Sequence, residues 1–197
     1  HWKDIIGTSN AIKRIQAEGK NLAELDDPIA LIGESGTGKG FFAQCIHNGS
    51  PRADAPYIAI NAAAIASQDA ARVLFGSGNG IKPHMGLLEL AGSGTVVLRG
   101  LGEAPEAVLS CLQQVLTHHS FFSVGGITMI PFNARFLTLI TPEEIDKLPR
   151  ALWERLSVFS LNIPSLRERQ EDVLSLFRFF LMRETSLTPP RNQKELE

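Results

Sequence analysis

The segment Gly33-Glu34-Ser35-Gly36-Thr37-Gly38-Lys39 constrains this chain more than any other feature. It follows a short apolar run, Pro28 to Ile32, and opens a stretch of helical character. Glycines let backbone N–H groups turn inward around an anion. A helix N-terminus adds partial positive charge there, and a terminal lysine reaches the β- and γ-phosphates of a nucleotide. Strand, loop and helix in this order predict a nucleotide-phosphate cradle at Gly33–Lys39, with Gly40 and Phe41 beginning the helix. Glycine or hydroxyl residues at four converging positions plus the lysine argue against a chance Gly-rich turn. One position departs from the motif. Residue 40 is Gly, where a Ser or Thr would bind Mg²⁺, so the loop offers phosphate contacts but no side-chain metal ligand.

The chain has 197 residues, enough for one sizeable core and a small appended element. It is 44% hydrophobic and 20% charged, the balance of a soluble globular protein. No apolar run approaches the roughly 20 residues that span a bilayer, so no membrane partner is expected. His1-Trp2-Lys3-Asp4 carries no signal-peptide pattern and reads like the middle of a longer protein. Cys45 and Cys111 lack metal-ligand spacing and read as reduced core thiols in a cytoplasmic protein. No metal site is expected at His47 or His84, which have no ligand-spaced partner. The net charge of −2 gives no general attraction to nucleic acid, so DNA contact would come from a part of the protein outside this chain.

Five short, nearly continuous apolar runs read as buried strands: Pro28–Ile32, Tyr57–Ile60, Thr95–Leu98, Arg135–Ile140 and Val158–Ile163. Helical patterns lie between them at Asn10–Lys20, Lys39–His47, Pro105–His118 and Pro142–Arg155. This alternation predicts an α/β fold with a parallel sheet between helices. Arg169 to Arg183 is helical in pattern with no strand after it. His118 and His119 close a helix, where cationic side chains suit the dipole. Phe177, Phe179 and Phe180 cluster on the last helix, as core or as a subunit contact.

Ile5-Ile6-Gly7-Thr8-Ser9, Gly33–Lys39, Ile46-His47, Ser50-Pro51-Arg52, Leu74-Phe75-Gly76, Val124-Gly125-Gly126, Arg155-Leu156 and Pro164-Ser165-Leu166-Arg167-Glu168-Arg169 together resemble the central domain of sigma-54-type bacterial enhancer-binding proteins. The resemblance runs from about Asp4 to Glu197. It implies an AAA+ fold: a five-stranded parallel sheet sandwiched by helices over residues 1–167, then a partial helical lid over 168–197. It also implies ATP or ADP as ligand, with Ile6 beside the phosphate loop, and assembly as a dimer or hexameric ring. RNA polymerase becomes an expected partner, and DNA is expected to be bound by a C-terminal helix-turn-helix absent from this chain.

Departures from the family pattern carry the functional expectation. Family members end the strand after the Gly-Thr turn with Asp-Glu, which orient Mg²⁺ and polarise water. This chain has Arg99-Gly100 there. Losing both carboxylates and the metal hydroxyl is expected to remove most hydrolytic rate. Arg99 either neutralises phosphate in place of the metal or lies along the rim of a disused site. The sigma-contacting loop after Leu74-Phe75-Gly76 is short and lacks Gly-Ala-Phe-Thr-Gly-Ala, so sigma-54 remodelling is not expected. The sensing Asn becomes Thr141. Of the two arginines that reach a neighbouring subunit, Arg155 is kept, and Pro149 with Arg150 beside it replaces the other. Asn61 is kept and reads as a capping or turn residue. In the tail, Arg191–Glu197 resembles the lid motif and puts Lys194 at its basic position. The short spacing before it means either a trimmed lid or residues skipped between Pro190 and Arg191. These losses resemble degenerate biofilm regulators of the VpsR type. Some relatives bind cyclic di-GMP through an aromatic–basic segment before the Gly-Thr-Ser turn. Here that segment is Trp2-Lys3, with Gln44 where those relatives have Arg. Trp2 then either stacks on guanine or packs on the domain's side. The rival expectations are an active ATPase driving sigma-54 polymerase, using Glu103 or a neighbour's Arg155, and a scaffold with a vestigial loop.

Overall fold

The protein's structure, a computed structural model, describes residues 2–78 and 84–187. Lys194, the rest of the tail motif, and residues 79–83 lie outside the described residues. Among the described residues seventeen helices and strands follow one another: α1 Asn10–Ala23, β1 Ile29–Ile32, α2 Lys39–Asn48, β2 Tyr57–Asn61, α3 Ala70–Phe75, β3 Gly76–Ser77, β4 His84–Met85, α4 Leu87–Leu90, β5 Thr95–Arg99, α5 Glu106–His118, β6 Ser120–Phe122, β7 Met129–Pro131, β8 Arg135–Ile140, α6 Pro142–Ile145, α7 Arg150–Leu156, β9 Phe159–Asn162 and α8 Val173–Leu187. Short 3-10 segments, including Trp2–Asp4 and Leu166–Asp172, lie between them.

The five expected strands form one sheet in the order β2-β5-β8-β1-β9, parallel at every pairing. Alternate side chains divide between two cores, because successive residues of a strand face opposite ways. On one face Val96, Leu98, Phe136 and Ile140 pack with α3, α5 and α7. On the other, Ile29, Leu31, Val97 and Leu137 pack with α1 and α2. Helices cover both faces, which is why the strands read as continuous apolar runs. Cys45 belongs to the second core and Cys111 packs against the first, so the sheet separates the two thiols. Burial pushes the pKa of both upward. No helix among the described residues is long and apolar enough to cross a membrane.

Three local expectations change. The helix expected across Pro142–Arg155 is two helices, α6 and α7, with a break at Asp146–Pro149. Pro149 has no N–H to donate and disfavours helical geometry at Leu148. Its extended φ of −55° and ψ of 127° place it as the N-cap of α7. The antiparallel pairs β3–β4 and β6–β7 were not expected, being only two and three residues per strand. The last helix begins as the 3-10 segment Leu166–Asp172, which departs from helical geometry at Arg169.

Ser9 caps α1 by accepting from the Ile12 N–H. His119 ends α5 in a left-handed conformation, φ 50°, donating its N–H to the Val115 carbonyl, so the histidine pair does mark a helix end. His47 is buried, with Nδ1 2.9 Å from Thr95 Oγ1. Burial and then Arg135 lower its pKa, against a backbone bond at Ala53. It is a core hydrogen-bonding group. Among the described residues no group of three or more His, Cys, Asp or Glu could hold a metal ion.

Candidate functional site

A cleft of about 650 Å³ opens at the carboxyl ends of β5 and β8, beside the turn that leaves β1. Open parallel sheets place their ligand sites at that edge. The Gly-rich loop leaves β1 and ends at α2, whose first residue is Lys39. Gly36 at φ +80° and Gly38 at φ +96° adopt the left-handed geometry that turns successive N–H groups to one side. Ser35, Gly36, Gly38, Lys39 and Gly40 line the cleft. Thr37 donates its hydroxyl to the Glu34 carbonyl at 2.8 Å. The Lys39 ammonium donates to the carbonyls of Gly33 and Glu34 at 2.7 and 2.9 Å. Burial lowers its pKa, partly offset by Glu144 and Glu143.

The opposite wall is the end of β5. Arg99 is the last strand residue, in register with Asn61 of β2 and Leu139 of β8. It is exposed, lines the cleft, and among the described residues forms no ion pair within 4.0 Å. Gly100 follows in left-handed geometry, φ +67°. A Cβ there would sit 2.7 Å from Asn61 Oδ1 and 3.2 Å from the Ala63 methyl. Side chain and backbone therefore both oppose a carboxylate at position 100. Asn61 stands at the N-cap position of the 3-10 turn Ala62–Ala64 without a side-chain cap bond, so of the capping-or-turn reading it is the turn that the structure shows. Gly40 supplies no hydroxyl and Arg99 supplies a cation, so this donor set does not fit Mg²⁺.

The cleft also gathers Glu103, Glu143, Glu144, Thr141 and Lys147. Glu144 accepts the Thr141 N–H at 2.8 Å in a capping box at the start of α6. Backbone and Thr141 hydrogen bonds hold the Glu143 carboxyl below its ordinary pKa. Sequence reasoning named Thr141 and Glu103 but missed Glu143, Glu144 and Lys147, although Thr-x-x-Glu is a readable capping signal.

Several expected residues lie elsewhere. Trp2 packs over Gly19 and Gly49, where added Cβ atoms would come within 2.4 and 2.6 Å of its ring. Gly49 ends α2 while Lys39 begins it, and ten helical residues span about 15 Å. The structure thus seats Trp2 on the domain's side, at the far end of α2 from the phosphate loop. Lys3 and Gln44 are exposed and do not line the cleft. Ile6 is half-buried and Phe41 is exposed, and neither lines the cleft. Glu34 points to Arg167, 2.5 Å away. Arg150 pairs with Glu154 at 2.8 Å, and Arg155 donates to the Leu116 carbonyl at 3.0 Å. Arg167, Arg169 and Asp172 also reach the loop and the Gly7–Ser9 turn, and sequence reasoning gave them no role.

Residues 5–162 match the family model described as the sigma-54 interaction domain. The chain is 33% identical over 195 residues to the transcriptional activator RocR of Bacillus subtilis, covering 94% of this chain and 42% of that protein. It is 35% identical over 188 residues to the Nif-specific regulatory protein of Azospirillum brasilense, covering 90% and 30%. The chain therefore spans less than half the length of these relatives. Its fold is similar to that of NtrX from Brucella abortus crystallised with ATP, at a TM-score of 0.85 and 29% identity, covering 92% of this chain and 43% of that one. NtrX has also been solved with ADP, at a TM-score of 0.84. With a P-loop, a five-stranded parallel sheet and this match across most of its length, the chain belongs to the sigma-54 interaction domain family, the AAA+ domain of NtrC-type transcriptional activators.

Proposed function

We propose that this domain binds ATP or ADP through the phosphate loop, does not hydrolyse it, and uses the bound nucleotide to control assembly and transcription. The observation that carries the reading is the end of β5. Arg99 and left-handed Gly100 stand where a hydrolytic site needs one carboxylate for metal and another for water. Binding is supported separately, by the glycine loop, Lys39 at the α2 N-terminus, and the ATP and ADP complexes of NtrX. Arg99 faces the cleft unpaired among the described residues and can meet phosphate charge where a metal would stand. Gly33–Gly40 hold phosphate, and Phe41 and Ile6 stay peripheral. Ligand that binds one assembly state better shifts the population toward it. Copies then join as dimer or ring, with Arg150 and Arg155 facing the neighbour's site. RNA polymerase is the downstream partner in the cytoplasm, and DNA is bound by another part of the protein.

Calorimetric titration with ATP and ADP, each with Mg²⁺ and with chelator, tests this reading. Heat with both nucleotides is expected, and it should persist in chelator. Binding only with Mg²⁺ would remove Arg99 from the metal's role, and no binding at all would favour a vestigial loop. Cyclic di-GMP is the third ligand to titrate. With Trp2 packed against Gly19 and Gly49, no heat is expected. A second reading, an active ATPase serving sigma-54 polymerase, has one observation in its favour: Glu103 lines the same cleft.

A further inference from the structure

We infer that Arg169 is a positioning residue that presets the phosphate loop, and that Asp172 ties this device to the turn preceding α1. The inference rests on the nucleotide-binding reading and adds a residue pair to it. A backbone cradle works only when its N–H groups point in and its carbonyls point out. A carbonyl turned toward the protein needs a donor there. For Thr37, at the crest of the loop, that donor is the buried Arg169 guanidinium, with Nη2 3.1 Å from the carbonyl oxygen. Arg169 comes from 132 positions along the chain, at the one residue where the Leu166–Asp172 turn leaves helical geometry.

Asp172 is fully buried beside Arg169. It accepts from the Thr8 N–H at 2.6 Å, the Ser9 N–H at 2.9 Å and the Ser9 hydroxyl at 2.6 Å. Burial alone would raise its pKa, but the Ser9 and Thr8 donors and Arg169 outweigh that and lower it. At Gly7, φ is +149° and a Cβ would lie 2.8 Å from the Asp172 carboxyl carbon, so the turn is shaped around this carboxylate. One segment thus holds the crest of the loop and the turn before α1 together, directly upstream of α8. Lys39 can leave the Gly33 and Glu34 carbonyls for a phosphate because Arg169 keeps hold of the Thr37 carbonyl independently. Arg167 and Glu34 form a neighbouring link, but their side chains are 76% and 49% exposed. Exposed pairs contribute little, which makes that pair the internal control.

The test compares the 197-residue chain with Arg169→Gln, Arg169→Lys and Arg167→Ala. ATP affinity is measured by calorimetry at low temperature, where far-UV circular dichroism reports each variant folded. Amide hydrogen exchange over residues 35–38 and over α5 is measured without nucleotide. Arg169→Gln should weaken ATP binding by roughly tenfold to a hundredfold, the range for a hydrogen bond from a charged donor. Arg169→Lys should fall between, and Arg167→Ala should stay within about twofold of wild type. Exchange over residues 35–38 should accelerate in Arg169→Gln while α5 keeps its rates. A lowered unfolding midpoint with ATP affinity and loop exchange unchanged would overturn the inference, because a purely structural staple behaves that way. If Arg169→Gln fails to fold, Arg169→Lys decides, and wild-type affinity in that variant overturns the proposal. If wild type itself gives no heat with ATP, the nucleotide reading falls, and the exchange arm alone decides the positioning claim.

Discussion

At the scale of single residues, the cleft sets Lys39 of the phosphate loop opposite Arg99 and Gly100 at the end of β5. Lys39→Ala removes the ammonium that meets phosphate, and ATP affinity should fall by about 2–3 kcal/mol, read by titration. Its effect on unfolding should be small, since among the described residues Lys39 bonds only loop carbonyls. Gly100→Ala forces a side chain into left-handed backbone against Asn61 and Ala63. Chemical denaturation should show a loss of about 1–3 kcal/mol. Asp172 gives a pH signature. Its folded pKa is depressed, so its stabilisation is fully present above the ordinary carboxylate range near pH 4 and is lost as pH falls through the folded value. Asp172→Asn should flatten that acid limb of the denaturation profile. Gly33–Lys39 was legible because its chemistry is written in consecutive residues. Arg169 and Asp172 were not, because their partners lie 132 to 164 positions away and only the fold brings them together.

At the scale of elements, the long apolar runs were legible and the short breaks were not. The inner strands β1, β5 and β8 are covered on both faces, and that burial shows directly as an apolar run, while the edge strands β2 and β9 are only partly covered. Pro149 was visible in the sequence, yet the apolar pattern from Pro142 to Arg155 hid the division it imposes. The two small hairpins bury too few residues to leave any alternation. The Trp2–Asp4 turn shows how one position supports two readings until packing is known. Trp2 was open to stacking on a guanine or on the domain, and Gly19 and Gly49 provide the slot that receives it. Trp2→Ala should therefore destabilise the fold by about 2 kcal/mol, less than a fully buried tryptophan would, and leave ATP affinity unchanged. A loss of nucleotide affinity at constant stability would contradict that placement.

For the whole molecule, the sheet order puts β8 between β5 and β1, and that brings Arg99, Thr141 and Lys39 to one cleft. The fold was legible to this level because strand–helix alternation and the position of the loop admit few topologies. The proposed loss of turnover rests on Arg99 and Gly100 at the end of β5, together with Gly40 in the phosphate loop. The outcome at this scale is assembly. Light scattering should show mass rising with ATP, and Arg155→Ala should suppress the rise without weakening binding per chain. The most direct test is steady-state phosphate release at saturating ATP and Mg²⁺, with Lys39→Ala in parallel. Wild type should release no more phosphate than Lys39→Ala while calorimetry shows its site filled. Sustained release from wild type that Lys39→Ala abolishes would contradict the claim that this cleft binds nucleotide without turning it over.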